Sequence, residues 1–401
     1  MPKVLRTIVI AIMMAGATVS LATTATAGRC EGTPTPPTVG QGENALFGVD
    51  AVSRCNAWAV GEYLDKDTGK LNSLILHWNG TAWKRQRTPA VGAESSLSAV
   101  AATSSVNAWA VGDFKPHGGS VYRSFVLHWN GTKWKRQSIP EPGSGGLDEV
   151  AATSSSNAWA VGSYYSDDVY SYRTFLLHWN GTKWKRQKSP NQGTGHNYLT
   201  GVTATSSTNA WAVGRYGEGE WCGGFYPYGC NSLILRWNGT AWKRQQSPTG
   251  MIDPHLEGVA ATSSANAWAV GTAWSETNED YETLLLRWSG AAWTVHNLGS
   301  LGVKYLTGVT ATSSTNTWAV GYSPSDSSEE GTSLVLRWNG ATWGGQAIPH
   351  VGTGENALRD VSATSATNAW AVGTYTAAGE CSLTGDCHSL ILRWNGTAWS
   401  E

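Results

Sequence analysis

The side chains best suited to chemistry in this chain are aromatic and acidic, and they gather in three stretches. Tyr164, Tyr165, Asp167, Asp168 and Tyr170 form the first; Glu220, Trp221, Tyr226 and Tyr228 the second; Trp274, Asp280 and Tyr281 the third. Flat apolar rings beside carboxylates suit a carbohydrate, whose C–H faces lie on the rings while its hydroxyls bond the acids, and they would also take a peptide. The bland alternative is that the rings cover underlying structure and the acids keep loops soluble. Glycoside hydrolysis would need two carboxylates about 5–10 Å apart. Glu218, Glu220, Asp280 and Asp167 could supply them, yet nothing in their spacing separates them from solubilising charge. No Ser-His-Asp order, phosphate loop or zinc spacing stands out, so no catalytic residue is identified and the chain reads as a binder rather than an enzyme. Asp65 with Asp67 and Asp167 with Asp168 offer calcium hard oxygen ligands, without the dense spacing of a dedicated calcium loop. No other cofactor or metal is implied.

All three stretches occupy the same place in a repeat. Residues 102–112 read Ala-Thr-Ser-Ser-Val-Asn-Ala-Trp-Ala-Val-Gly, and the tryptophan of each copy is Trp58, Trp109, Trp159, Trp211, Trp268, Trp318 or Trp370, at intervals of 50 to 57 residues. A second unit, typified by residues 127–134 (Leu-His-Trp-Asn-Gly-Thr-Lys-Trp), follows each copy. In the type repeat, residues 97–103 form strand A, 108–112 strand B ended by glycine, 124–129 the nearly all-apolar strand C, and 134–137 strand D. Asn130-Gly131 between C and D fits a type I′ hairpin with two positive-φ residues. Between B and C lies a variable loop, and twelve of the fourteen tyrosines fall there, which is why the binding surface is sought on that face.

Four antiparallel strands per repeat of about 52 residues, with no helical period, specify an all-β fold, a seven-bladed β-propeller. The order of β-run, aromatic-apolar-Gly strand, variable loop and strand-turn-Trp resembles the Kelch and galactose-oxidase type of propeller. Only one glycine follows the valine where that family has two, so the chain is Kelch-like. The copper chemistry of galactose oxidase does not carry over, because its cross-link needs a free cysteine. Repeats fall at about 45–94, 95–144, 145–196, 197–252, 253–303, 304–355 and 356–401. Each sheet is apolar on both faces, so neighbours must stack and the ring must close, with the repeated tryptophans as wedges. Lys-Arg pairs at 84–85, 135–136, 185–186 and 243–244 lie on strand D, the outer edge, where charge discourages aggregation.

Residues 1–27 read as a secretory signal peptide: cations, an apolar run from Ile8, then Ala25-Thr-Ala27 before the cut. Export favours disulfides, and proximity pairs Cys222 with Cys230, Cys381 with Cys387, and Cys30 with Cys55. The last pair would hold an N-terminal arm, residues 28–44, whose 31–36 segment aligns with a strand-D position at the edge of blade 7 and helps close the ring. A net charge of −1 with 14% charged residues gives no attraction for nucleic acid or acidic membranes, and no other segment is apolar enough to span a bilayer. The expected protein is a secreted, extracellular monomer. It recognises a glycan through the B–C loops; an adhesion scaffold for an extracellular protein is the alternative, and a propeller glycoside hydrolase the second. Asn-Gly-Thr at Asn79, Asn130, Asn180, Asn238 and Asn395 satisfies the glycosylation sequon, but the hairpin position explains every copy. His77, His128 and His178 alternate with Arg236, Arg287, Arg337 and Arg393 at one position, which a metal site would not allow.

Overall fold

A sheet with two apolar faces is stable only between two others, and a ring of such sheets has no uncovered end. The computed structural model, which describes residues 30, 32–39, 43–217, 222, 229–298, 305–323, 331–377 and 387–401, is that ring. Seven four-stranded antiparallel sheets, each made of four consecutive strands in the order A-B-C-D, form a seven-bladed β-propeller. Blade 1 consists of Asn44–Ser53, Asn56–Asp65, Lys70–Trp78 and Trp83–Arg85. Blade 7 consists of Asn356–Ser365, Asn368–Thr376, Cys387–Trp394 and Trp399–Ser400, and its A, B and C strands lie against strand A of blade 1 to close the ring.

The tryptophans are the wedges between blades. Each strand-B indole is fully buried and meets the strand-C and strand-D indoles of the next blade: Trp58 lies 5.2 Å from both Trp129 and Trp134, and Trp211 lies 5.0 Å from Trp288 and 5.2 Å from Trp293. The same triad spans the closure, with Trp370 at 5.1 Å from Trp78 and from Trp83. The B–D pairs are close to perpendicular, the arrangement in which a ring edge meets a ring face, which contributes about 0.5–1.5 kcal/mol per pair beyond area burial. Strand-C indoles donate to A–B turn carbonyls, as in Trp129 to Ser105 O at 3.1 Å. The alternating His and Arg position is explained by shape. Each is a flat group on the strand-B indole, His128 at 3.9 Å from Trp109 and Arg337 at 4.6 Å from Trp318.

Two local expectations are corrected. The C–D connection has four residues, Trp129 pairing with Trp134, and only its glycine takes a positive φ, 91° at Gly131. The Asn130 side chain accepts the N–H groups of Thr132 and Lys133, both at 3.1 Å, so it caps an Asx turn instead of entering a type I′ turn. The glycine of strand B also does not end it: strand B of blade 3 runs Asn157–Ser166 and pairs with strand C, Ser171–Trp179, through Tyr165 opposite Tyr172. Glycine is needed there because strand A bulges toward it. A Cβ on Gly61 would stand 2.0 Å from Ala45 O.

The arm is tied to both sides of the closure. Cys30 is bonded to Cys55 of blade 1, Arg393 of blade 7 donates to Cys30 O at 2.8 Å, and buried Val39 joins the cluster that holds Trp78, Trp83 and Trp370. Residues 32–39 belong to no sheet. Cys222 is bonded to Cys230, and Cys387 is disulfide-bonded, while Cys381 lies outside the described residues.

Candidate functional site

Strand A is innermost, so one of its edges has no neighbouring strand and must satisfy its polar groups otherwise. The seven inner strands enclose a channel of about 860 Å³, and the residue after the buried leucine of each strand reaches its wall: Phe47, Ser98, Asp148, Thr200, Glu257, Thr307 and Arg359. Adjacent blades are stitched across this edge by side chains. Thr200 and Thr307 hydroxyls donate to Leu256 O and Leu358 O at 2.6 and 3.0 Å. Asp360 accepts Val49 N–H at 2.8 Å, and Asp50 accepts Ala102 N–H at 2.7 Å and the Ser362 hydroxyl at 2.8 Å.

The wall is acidic on one side. Asp360, Asp50, Asp148 and Glu149 come from strands A of blades 7, 1 and 3, where the last is Gly145–Ser154. Enclosure by protein pushes all four carboxyls up, Asp50 to about 6 and Asp148 and Asp360 to about 7, and neighbouring carboxylates add to the effect at Asp148, Glu149 and Asp360. Asp148 still faces channel water, whereas the hydrogen bonds to Asp50 and Asp360 only partly offset their enclosure. Burial, then the Glu62 charge, also raises Asp113 to about 6 on strand B of blade 2, Asn107–Lys115.

On the other side the mouth is aromatic. Strands A of blades 4, 5 and 6 (Asn197–Ser206, Ile252–Ser263 and Tyr305–Ser313) place Tyr198, His255 and Tyr305 immediately before the leucine. The corresponding residues in the other blades are Ala45, Ser96, Gly146 and Ala357. Strands B of blades 4 and 6 (Asn209–Gly217 and Asn316–Ser323) set Arg215 opposite Tyr198 and Tyr322 opposite Tyr305. Tyr172 lies 5.2 Å from Tyr198; the Arg215 guanidinium covers that ring at 5.0 Å and reaches Glu257 at 3.6 Å. Tyr305 and Tyr322 stack at 5.4 Å, and Arg359 covers Tyr322 at 5.1 Å. These rings are half-buried, each with a part open to solvent.

Between them Asp253 anchors a cluster. It is buried at a positive φ of 45°, accepts Cys230 N–H at 2.8 Å and the Tyr281 hydroxyl, and lies 3.3 Å from His255 Nε2. Burial alone would raise its carboxyl, but His255, Tyr281 and the Cys230 N–H together hold it below the usual carboxylate range. Tyr281 is driven the opposite way, upward, by burial and then by Asp253, so its hydroxyl remains a donor. Cys230, Asp253 and His255 are close enough to share an ion. The Cys230 sulfur is committed to Cys222, however, which leaves one carboxylate and one imidazole, too few for a zinc site.

The residues singled out in the sequence are placed as follows. Tyr281 reaches the channel mouth, with Trp274 5.4 Å behind it on strand B of blade 5, Asn266–Ser275. Tyr165 borders the mouth through Tyr172, at 5.5 Å. Tyr164 turns outward, under Arg186 at 4.4 Å and against buried Phe175. Asp167, Asp168 and Tyr170 form an exposed turn, with Tyr170 78% exposed. Asp280 begins strand C of blade 5, and the whole of blade 4 separates it from Asp167. Asp65 spends its carboxylate on Asp67 N–H and Thr68 N–H. Glu218, Glu220, Trp221, Tyr226 and Tyr228 lie outside the described residues. The sequence reading missed Tyr198, Arg215, His255, Tyr305, Tyr322, Arg359 and the channel acids. Their signal was departure from the strand-A pattern Leu-x-Gly-Val, as in Asp148-Glu149 and Arg359-Asp360.

No family model matches the chain, and no curated protein does. Solved structures share the fold at low identity. YCF48 bound to D1 peptide superposes with a TM-score of 0.53 at 12% identity, over 90% of this chain and 98% of that one. YCF48 from Cyanidioschyzon merolae gives 0.52 at 13%, over 89% and 97%. An ulvan lyase of polysaccharide lyase family PL25, bound to a -[GlcA(1-4)Rha3S]- ligand, gives 0.52 at 9%, over 88% and 96%. Among the described residues no helix is long and apolar enough to cross a membrane.

Proposed function

We propose that this protein is a secreted carbohydrate-binding propeller whose site is the aromatic half of the channel mouth. The observation that carries the reading is the succession Tyr281, Tyr305 and Tyr322 along one side of a channel of about 860 Å³, interleaved with Arg215, His255 and Arg359 and continued by Tyr198 under Arg215 at 5.0 Å and Tyr172 beside Tyr198 at 5.2 Å. Half-buried rings held by rigid strands offer stacking faces, and the polar groups between them offer hydrogen bonds to hydroxyls. The B–C hairpins of blades 3 and 5 flank this site through Tyr165 and Trp274. The oligosaccharide in the ulvan lyase supports a glycan on this fold, and the disulfides support export with cleavage after Ala27. A closed ring without a free blade end suits a monomer, and the repeat layout a Kelch-like propeller.

The test is binding of the purified protein to an array of extracellular and cell-wall polysaccharides. A reproducible hit lost in Tyr305→Ala with unchanged melting is the expected result. A blank array from folded protein refutes the reading.

A further inference from the structure

We infer that the glycan is anionic, bearing carboxylate or sulfate groups, and that Arg359 is the cation that reads them; this rests on the glycan reading above. Arg359 departs from the residues at its position in the other blades, which are Phe47, Ser98, Asp148, Thr200, Glu257 and Thr307. Its side chain lines the channel and its guanidinium lies flat over Tyr322 at 5.1 Å. The Nε atom is out of solvent with no hydrogen-bond partner, and Arg359 makes no ion pair among the described residues. The adjacent Asp360 does not neutralise it, because that carboxylate accepts Val49 N–H and Val361 N–H, at 2.8 and 2.7 Å, on the inter-blade seam.

A guanidinium held flat by a ring with unused donors is preorganised for a planar or tetrahedral oxyanion. Arg215 differs, since Glu257 already takes it at 3.6 Å. Asp50 and Asp148 line the channel in blades 1 and 3, and at pH 8, above their raised values, both are charged, so an anionic chain crossing the mouth is repelled from that side and pressed onto the tyrosines. Ring stacking thus fixes where the sugar lies, and the charge pattern fixes which sugar.

The experiment is affinity electrophoresis of the full-length protein in gels containing polygalacturonate, dextran sulfate, or neutral dextran, pullulan or xylan. Retardation by polygalacturonate marks carboxylate recognition, retardation by dextran sulfate marks sulfate recognition, and little retardation by the neutral polymers is expected. Arg359→Gln should weaken the anionic polymer about tenfold, the scale of one lost charged hydrogen bond. In gels run at pH 8, above the raised value of the Asp148 carboxyl, Asp148→Asn removes a repelling charge and should tighten it, a gain that misfolding cannot mimic. If a neutral polymer binds, is lost in Tyr198→Ala and is indifferent to Arg359→Gln, the anionic inference is overturned while the glycan reading stands. If no polymer retards folded protein, both fall.

Discussion

The two sides of the channel mouth are built from the same strands and do opposite things. In blades 7, 1 and 3 strand A brings carboxylates to the wall beside Arg359 and Phe47, and those of Asp50 and Asp360 are consumed in holding one strand A to the next. In blades 4, 5 and 6 the position just before the leucine, which is Ala357, Ala45 and Gly146 in blades 7, 1 and 3, carries Tyr198, His255 and Tyr305, whose ring faces are not consumed by the seam. There Thr200 and Thr307 hydroxyls do the stitching instead, which frees the neighbouring positions for other side chains. One arc of the ring is therefore an acidic seam and the other an open aromatic surface. The difference shows that a symmetric scaffold can hold an asymmetric site by changing two residues per blade.

The largest effects should come from the frame beneath each arc. Trp370→Ala, under the acidic side, and Trp211→Ala, under the aromatic side, should each cost about 3–5 kcal/mol in urea unfolding. Only Trp211→Ala should also weaken glycan binding, and equal weakening by both would mean that the site is not confined to one arc. A smaller loss is expected from Asp50→Ala, which strands Ala102 N–H and the Ser362 hydroxyl. It should cost about 1–3 kcal/mol of stability and leave the affinity for a neutral or anionic glycan unreduced.

Acid titration separates the arcs by sign. Asp360 and Asp148 have folded-state values raised to about 7, so the folded protein holds protons that the unfolded chain has released. Their contribution is most favourable below the ordinary carboxylate range and is lost as pH rises from about 4 to 7, then stays constant. Asp253 behaves oppositely: its carboxyl is lowered, and its contribution is present above that range and lost as pH falls through it. Asp360→Asn should thus raise the melting temperature at pH 8 and flatten the slope between pH 4 and 7. Asp253→Asn should lower the melting temperature at pH 7. Identical slopes in wild type and Asp360→Asn would remove the acidic seam from the account.

The frame was legible in the sequence because it repeats. A tryptophan every 50 to 57 residues, with a second 20 to 26 residues later and a third always five after that, points to a ring of like blades, and the indoles meet blade to blade as that spacing requires. The site was harder because it is made of exceptions within strands that look invariant. Tyr198 and Tyr305 are the two tyrosines outside the B–C stretches; Tyr305 lines the channel and Tyr198 lies under the lining Arg215 at 5.0 Å. Attention to variable loops favoured Tyr170, which sits in an exposed turn, and Tyr164, which is half-buried under Arg186. Which end of a strand faces a channel depends on the bulge between Leu46 and Gly48 and its equivalents, and a bulge leaves only a faint trace in sequence. The Asn-Gly turns misled for a related reason: a side chain that caps the loop and a backbone that enters a positive φ select the same residue.

The most direct test compares a mouth tyrosine with a loop tyrosine on the same ligand. Isothermal titration of the tightest-binding glycan into wild type, Tyr198→Ala and Tyr170→Ala puts the two surfaces against each other. The structure predicts a loss of about tenfold or more for Tyr198→Ala, on the scale of a sugar-stacking ring, and no change for Tyr170→Ala. Loss in Tyr170→Ala with full affinity in Tyr198→Ala would contradict the assignment and return the site to the loop tips.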